Sequence, residues 1–325
     1  KNRIGFSFTW YKSNSINQLL AIGLPVATGY SSKYINAGNI QNKGVEFLID
    51  GYAVQNKGFK WNVAFNASFN KNKVISLDKD IKIVYLAGGF GRSGTPIVTE
   101  GGSYGDLLAF KWATNSKGVH VVDAAGKPVL TSDQQLIGNF NPKATLGFTN
   151  TFEVGAFYAR LLIDGRVGGT VVSGTEMNLA FSGIPEVTGQ HREGGWALGG
   201  QTSDGTAVSA TTSAQDFWQI ASGKRYGAGD FFAYDATNFR VRELSIGYNL
   251  PVKNTKVIKN ARVSLIGRNL LWLYRGKSIM DIPGLGKRKM WFDPDMSLGN
   301  GNFQGVEYGT MPATRSLGVN LQLTF

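Results

Sequence analysis

The chain has 325 residues, a formal net charge of +12 and a mean hydropathy of −0.13, which is too polar for a bundle of membrane-spanning helices. No stretch approaches the ~18 consecutive apolar residues that one such helix needs, and the absence of cysteine excludes a disulfide scaffold. The 43 glycines favour turns, long surface loops and closely packed strands over helices.

The predicted elements are β-strands from the start of the chain onward. Residues 4–10 alternate between large apolar side chains and small or polar ones, and successive side chains of a strand point to opposite faces. The same alternation returns, in segments near the ~9–11 residues that cross a bilayer when tilted, at 45–52, 61–70, 145–152, 157–164, 244–250, 261–268 and 316–325. Because the pattern begins without an initiator methionine or a signal peptide, we expect a fragment or a processed piece of a longer protein.

The connections between these segments alternate strictly between short and long. The short ones are 54–58, 153–156 and 251–259, and the long ones are 13–42, 73–143, 168–237 and 274–314. Outer-membrane barrels have short periplasmic turns and long extracellular loops, whereas loops of about 70 residues are improbable in a compact soluble domain. The pattern predicts an all-β fold, a transmembrane antiparallel β-barrel in the outer membrane with a periplasmic C-terminus.

The last segment carries the clearest alternation. Its large apolar residues all share one parity, and the other parity holds Ser, Gly, Asn, Gln and Thr. A terminal aromatic residue after such a strand resembles the signal that the outer-membrane insertion machinery reads. We therefore assign a C-terminal insertion signal to Leu321, Leu323 and Phe325.

Two glycine-rich motifs match enzyme signatures but lack the required context. Residues 89–94 match G-x-G-x-x-G, which needs a helix to start at the motif, yet 95–99 reads T-P-I-V-T. Residues 101–105 match G-x-S-x-G, which needs an α/β sheet and a positioned base, and neither His120 nor His191 lies in such a context. We predict no enzyme activity, no catalytic residue and no cofactor.

The charged residues predict neither nucleic-acid binding nor a metal site. No dense basic run exists beyond 287–289, so nucleic acid is not an expected partner. Asp293 and Asp295, with Asn300 and Asn302, offer oxygen ligands for calcium, but the EF-hand pattern fails. Solvated loop carboxylates are the favoured interpretation, with a loop calcium site as the alternative.

A further set of short motifs is spread over the chain. The motifs are N-A-G-N-I-Q-N-K-G-V-E at 36–46, E-G-G-S-Y-G at 100–105, G-N-F-N-P-K at 138–143, D-F-W at 216–218, the segment 238–251 ending in G-Y-N-L-P, G-R-N-L at 267–270, D-P at 293–294 and P-A-T-R-S at 312–316. Each motif is weakly specific alone, but their order and spacing together are strongly specific. Together they resemble the C-terminal third of SusC/RagA-family TonB-dependent transporters of the Bacteroidetes.

The resemblance implies a barrel of about 22 strands with a plug in its lumen. Residues 1–325 would be the C-terminal part of that single barrel domain and supply eight strands, with the plug and the TonB-contacting segment outside this chain. It also implies import of oligosaccharides or peptides. The implied partners are a SusD-like surface lipoprotein, TonB through the missing segment, outer-membrane lipid and lipopolysaccharide, and the barrel-insertion machinery.

The long loops would then supply contacts to the substrate and the lipoprotein lid. Their aromatic side chains can stack on sugar rings or grip peptides, although for any single residue packing within the loops is the favoured interpretation. The candidates are Trp196, Trp218, Tyr226, Phe231, Trp291 and Phe292.

Three alternatives stay open. The chain could belong to a structural or assembly subunit of a larger outer-membrane complex, in which transport is lost or secondary. A passive porin would conduct without a plug. A complete eight-stranded barrel is disfavoured because the chain starts inside a strand pattern.

Overall fold

The computed structural model describes residues 3–23, 26–79, 81–223, 226–251, 257–296 and 304–325. In chain order its strands are β1 (Ile4–Gly23), β2 (Ser32–Gln55), β3 (Phe59–Ser76), β4 (Ile83–Tyr85), β5 (Thr95–Thr99), β6 (Asp106–Ala109), β7 (Gln135–Asn139), β8 (Ala144–Val154), β9 (Phe157–Val167), β10 (Thr170–Ser173), β11 (Ala233–Asp235), β12 (Asn238–Leu250), β13 (Asn260–Arg275), β14 (Val306–Glu307) and β15 (Ser316–Thr324). The α-helices are α1 (Gly174–Phe181) and α2 (Ala214–Ser222), and short 3-10 helices lie at Val26–Thr28, Glu186–Gly189 and Gly229–Phe232. None of the helices in the described part of the chain is long and apolar enough to span a membrane.

Eight strands form one sheet in the order β1-β2-β3-β8-β9-β12-β13-β15. Every neighbouring pair is antiparallel. These are the eight segments that the sequence pattern predicts, so the all-β prediction is confirmed. Within the described residues no pairing joins β1 to β15, and the sheet is open at both edges.

The register keeps the apolar side chains on one face across the whole sheet. Phe6 lies opposite Ile49, Ile49 opposite Phe65, Phe65 opposite Phe148, and Phe148 opposite Ile163. The same parity continues to the last strand, and the edge strand β15 exposes the proposed signal residues Leu321, Leu323 and Phe325. This face holds its apolar side chains outward, towards the surroundings.

The opposite face is polar and carries paired charges. Glu243 accepts hydrogen bonds from Arg160 and from Arg268, each at 3.1 Å. Asp164 pairs with Arg240 at 3.3 Å and also with Arg242. The charges of this face therefore neutralise one another between adjacent strands.

The prediction of a long loop at 13–42 is wrong. β1 and β2 have 20 and 24 residues, and their pairing continues as far as Gly23 opposite Ser32. The apolar alternation ends near Lys12, but backbone pairing does not need it, and polar side chains pair here instead, as in the 2.7 Å hydrogen bond from Asn14 to Asn39. Beyond Lys12 the apolar residues no longer alternate, since Ile16 is followed by two polar residues and then by Leu19 and Leu20 in neighbouring positions, so no strand period reveals the rest of the hairpin.

The other three long connections contain structure of their own. The first holds the four-stranded sheet β4-β5-β6-β7. The second holds α1 and α2, and its strands β10 and β11 join β14 of the third in a three-stranded sheet. All three connections leave the eight-stranded sheet at the same end, opposite the short turns after β2 and β8.

A lysine placed on the two faces in turn tests this assignment. Phe148→Lys, in the full-length protein in detergent micelles, should lower the free energy of unfolding by about 2–4 kcal/mol, the cost of a lysine on a lipid-facing barrel position near midplane. Thr149→Lys, one residue along on the polar face, is the control and should cost far less. Urea titration followed by tryptophan fluorescence measures both, and equal losses would contradict the face assignment.

Candidate functional site in the loop unit

The three long connections pack together into one body, called here the loop unit (the described parts of 77–143, 168–237 and 276–315). Its core contains the fully buried rings of Trp112, Trp196, Phe217 and Phe231. Trp196 and Phe217 are 4.2 Å apart between ring centroids, and Trp112 and Phe231 are 5.4 Å apart. Such aromatic contacts add to the hydrophobic energy of burial, so the core holds residues from distant parts of the sequence in fixed positions.

Serine caps begin both helices of the loop unit. The Ser173 hydroxyl accepts a hydrogen bond from the Glu176 backbone N–H at 3.1 Å, and Ser213 does the same for Asp216 at 2.9 Å. An acidic residue in the first turn adds to each cap. Helix α2 ends at Gly223, whose φ of 42° is the left-handed conformation that glycine adopts readily. These local signals set the ends of the helix that carries Phe217 and Trp218.

A buried ion pair joins the second and third connections. Arg288 contacts Glu176 at 3.0 Å, and both side chains are less than a tenth exposed. The Tyr234 hydroxyl donates to Glu176, and Arg288 also donates to the Phe231 carbonyl. The guanidinium lies 5.7 Å from the ring centres of Phe232 and Tyr234. Burial raises the pKa of Tyr234 above its usual value, so its hydroxyl remains a donor.

A second ionic cluster joins the third connection to the eight-stranded sheet. Arg240 in β12 pairs with Asp293 at 2.9 Å and with Asp295, and it is almost fully buried. Arg166 in β9 contacts Asp295 at 3.6 Å. These carboxylates neutralise arginines, which corrects both the solvated-carboxylate and the calcium interpretations of this segment. Asn300 and Asn302 lie outside the described residues.

A groove of 640 Å³ opens between the end of α1, the 3-10 helix Glu186–Gly189 and the start of α2. Trp218 forms part of its wall, and Gln215 and Gln219 add amide groups. At its rim Arg192 donates to the carbonyls of Gly183 and Thr188, at 2.9 and 3.1 Å, and forms no ion pair within the described chain. The groove offers amides, hydroxyls, one cation and an aromatic wall, which suits a polar chain with hydrogen-bonding groups.

A second cavity, of 350 Å³, lies where the third connection meets β13. Trp291 and Phe292 line it together with Trp272, Arg275 and Met311. Trp291 is half exposed and Met311 is 82% exposed, so the cavity opens to the surroundings. It is the more apolar of the two sites.

The six candidate contact residues fall into three groups. Trp196 and Phe231 are inside the aromatic core, where packing is their role. Trp218 and Phe292 are buried but line the groove and the second cavity respectively. Tyr226 and Trp291 are 64% and 50% exposed and can contact another molecule directly. Contact with a substrate stays a prediction for all six, and burial in the aromatic core leaves Trp196 and Phe231 almost no exposed surface for it.

The glycine-rich motifs form turns. Residues 89–94 lead into strand β5, where a nucleotide site would need a helix. Ser103 lies in the turn between β5 and β6, and its hydroxyl donates to Asn72 at 3.3 Å. His120 and His191 stack on Trp112 and Trp196, at 4.1 and 4.7 Å. In this arrangement both histidines pack on tryptophan rings.

Sequence reasoning did not find Arg288, Glu176 or Arg240, because ion pairs between residues far apart in the chain leave no local pattern. The groove was also missed. One signal was available: S-x-x-E at 173–176 and S-x-x-D at 213–216 are helix-start patterns and would have placed both helices inside a long loop.

Comparison with known proteins gives a consistent family of relatives. No family model matches the chain. Over its whole length the chain is 27% identical to TonB-dependent receptor P3 of Formosa agariphila, and over 99% of its length it is 24% identical to TonB-dependent receptor P26 of the same organism. The matched regions are 32% and 33% of those receptors, so the chain spans about a third of the length of these curated relatives.

Solved structures show the same fold. The structure of the RagAB peptide transporter aligns with the whole of this chain over 34% of the transporter chain, with a TM-score of 0.64 and 19% sequence identity. The RagAB peptide importer in the closed-closed state has a TM-score of 0.62 and 20% sequence identity, again over the whole of this chain and 34% of the importer chain. The resemblance to TonB-dependent receptors and the barrel fold class are thereby confirmed, with the eight strands forming an open part of such a barrel. The relatives are receptors and transporters, consistent with a protein that is not an enzyme.

Removing one partner of the buried ion pair should destabilise the loop unit. Arg288→Met leaves the Glu176 carboxylate buried and unpaired, which costs about 3–5 kcal/mol. The double variant with Glu176→Gln removes that charge and should recover most of the loss. Lys127→Met is the control, since its 3.2 Å pair with Asp216 lies at the surface, with side chains 36% and 43% exposed, and surface pairs contribute about 0–1 kcal/mol. Hydrogen exchange of the loop unit measures each change; equal protection in Arg288→Met and Lys127→Met would contradict the role of the pair.

Asp230 makes the stability of the loop unit pH-dependent. One of its carboxylate oxygens accepts a hydrogen bond from the backbone N–H of Trp112 at 3.1 Å, and the other has no hydrogen-bond partner in the described structure. Burial raises the pKa of this carboxyl to about 7. As pH rises from about 4 to 7, the unfolded chain releases a proton that the folded chain keeps, so the folded state loses stability. Asp230→Asn should therefore raise the melting temperature more at pH 8 than at pH 4.5, measured by tryptophan fluorescence; a gain independent of pH would contradict this.

Proposed function

We propose that this chain forms the C-terminal part of the barrel wall, and some of the external loops, of an outer-membrane TonB-dependent importer. The observation that carries the proposal is the apolar face, kept in register through eight strands. Asn150 is a polar residue on this face, and it is buried, with its amide oxygen accepting a hydrogen bond from the Trp61 indole at 3.1 Å. A soluble protein would have to cover such a face with a second layer. In a barrel wall, lipid covers the apolar face. The TonB-dependent receptors that the chain resembles support the same function.

Orientation follows from the connections. Barrels of this class have short turns on the periplasmic side and long loops outside. The loop unit would therefore lie outside the cell and the end of β15 in the periplasm. In this arrangement Leu321, Leu323 and Phe325 form the insertion signal, which the outer-membrane yield of a Phe325→Ser variant would test.

Residues 1–325 would be one part of a single barrel domain. The curated relatives are about three times as long as the matched region, which leaves room for further strands and for a plug. Energy for import would reach the plug through TonB, by a segment outside this chain. The wall described here would serve as scaffold, and the loop unit would take part in binding.

The cargo would be a peptide or an oligosaccharide, taken up together with a SusD-like surface lipoprotein. The RagAB neighbour is described as a peptide transporter. The groove beside Trp218 offers amides and hydroxyls that suit a peptide backbone or sugar hydroxyls. Tyr226 and Trp291 are exposed aromatic side chains on the same body, of the kind that stack on sugars or pack on peptides.

Loss of the two exposed aromatic side chains should weaken uptake without weakening the fold. Tyr226→Ala with Trp291→Ala, in the full-length protein, should raise the half-saturating substrate concentration several-fold, because each ring supplies about 0.5–1.5 kcal/mol beyond its buried area. The assay is uptake of labelled peptide and oligosaccharide mixtures by whole cells, with outer-membrane protein level and lipoprotein co-purification measured in parallel. Tyr85→Ala is the control, an exposed ring on the small sheet away from both cavities.

Unchanged uptake and unchanged lipoprotein association would remove these two residues from the site. A protein that binds stable partners but imports nothing, in cells with functional TonB, would contradict the import function and favour the assembly role.

A further inference from the structure

Four lysines form one patch on the apolar face of the sheet. Lys12 lies opposite Lys43, and Lys43 lies opposite Lys71, so three lysines occupy one row across β1, β2 and β3. Lys73 follows on the same face, in the next row, opposite Gln41. All four side chains are exposed.

The patch begins where the apolar band ends. The row just before it is Trp10, Val45 and Phe69, which are opposite one another in the same three strands. The lysine row is on the side of this row nearer the loop unit, because the short turn between β2 and β3 lies at the other end of the band. Apolar side chains and cations therefore meet at a sharp border.

The height of the band fits a membrane core. On β3 the band runs from Trp61, which stacks on Phe152 with ring centroids 5.7 Å apart near the short-turn end, to Phe69, and Lys71 follows. Ten residues from Trp61 to Lys71 measure about 33 Å along a strand. With a tilt of about 40° this becomes a height of about 25 Å, the height of the apolar band of a barrel. The lysine row would thus lie at the level of lipid headgroups.

The protein itself does not neutralise these charges. Strands are about 4.8 Å apart, and like charges directly opposite each other destabilise a sheet. From Ile4 to Ile16 of β1, and at the paired positions of β2 and β3, this face carries no acidic residue. Glu46 and Asp50 of β2 point to the other face. In the described structure none of the four lysines forms an ion pair. An external anion would remove the repulsion.

The patch is local. At the corresponding border of β12 and β13 the same face carries Phe239 opposite Tyr274, aromatic residues that suit a neutral interface. Cations at the border of β1, β2 and β3, and aromatic rings at the border of β12 and β13, distinguish a local binding site from a uniform charged belt.

We propose that Lys12, Lys43, Lys71 and Lys73 bind the phosphate groups of lipopolysaccharide in the outer leaflet. The acyl chains would cover the apolar rows below, and the phosphates would lie over the lysine row. This inference rests on the proposed function, because it needs the sheet to be a barrel wall with the loop unit outside.

The experiment uses the full-length transporter, purified in detergent, and fluorescent lipopolysaccharide as the probe. The variant K12Q/K43Q/K71Q/K73Q should bind at least about tenfold more weakly, since each basic residue near an anionic lipid surface contributes about 1 kcal/mol. The matched control K57Q/K79Q/K117Q/K287Q removes the same charge from exposed lysines elsewhere and should bind like the wild type. A variant with arginine at the four patch positions should also retain binding. Dephosphorylated lipid A should compete poorly with the probe, and inorganic phosphate at the same concentration should not compete.

The outcomes separate this inference from the proposed function. Equal binding by the patch variant and the control variant, in protein that inserts normally, overturns the inference and leaves the import function standing. Equal competition by dephosphorylated lipid A also overturns it, because the acyl chains alone would then account for binding. A wild-type protein that does not insert into the outer membrane, judged by heat-modifiable gel mobility and fractionation, overturns the proposed function first.

Discussion

The structure depends on a register that keeps one parity through eight strands. A slip of one residue at any pairing would move charges such as Arg160, Asp164 and Glu243 onto the apolar face. The irregularity at Val241 and Glu243 illustrates the constraint, because β12 shifts there against both neighbours, β9 and β13, at the same place. The residues of β12 after the shift therefore again match the faces of both β9 and β13. The extra residue, Arg242, lies on the polar face and pairs with Asp164. The bulge preserves the separation of lipid-facing and polar surfaces.

The loop unit depends on that polar face. Arg240 and Arg166 come from strands that the register fixes, and they hold Asp293 and Asp295 of the third connection. The third connection in turn provides Arg288 for Glu176 of the second. A charge left unpaired in the interior is costly, so these pairs favour the arrangement in which every buried charge has its partner. The long connections thus acquire defined positions, and the groove and the second cavity keep their shapes.

How far the sequence predicts the structure depends on whether a pattern is local. The eight strands and the long connections were predictable, because alternation is visible within ten residues and turn lengths add up along the chain. The extension of β1 and β2 was not, because apolar and polar residues no longer alternate beyond Lys12. The burial of Trp196 and Phe231 was not either, since the partners of those rings come from other connections. Exposure decides whether an aromatic ring can touch a ligand, and the sequence around Trp196 and around Trp291 does not distinguish the two.

The hairpin of β1 and β2 makes the sheet uneven in height. These strands have 20 and 24 residues, whereas β8 and β9 have 11 each, and the excess lies at the end that carries the loop unit. Nine or more additional residues correspond to roughly 30 Å of strand. The edge of the sheet that carries the loop unit is therefore slanted, and it is higher at β1 and β2 than at β8 and β9. The hairpin thus stands beside the loop unit on one flank only, and this asymmetry is set by the lengths of the strands.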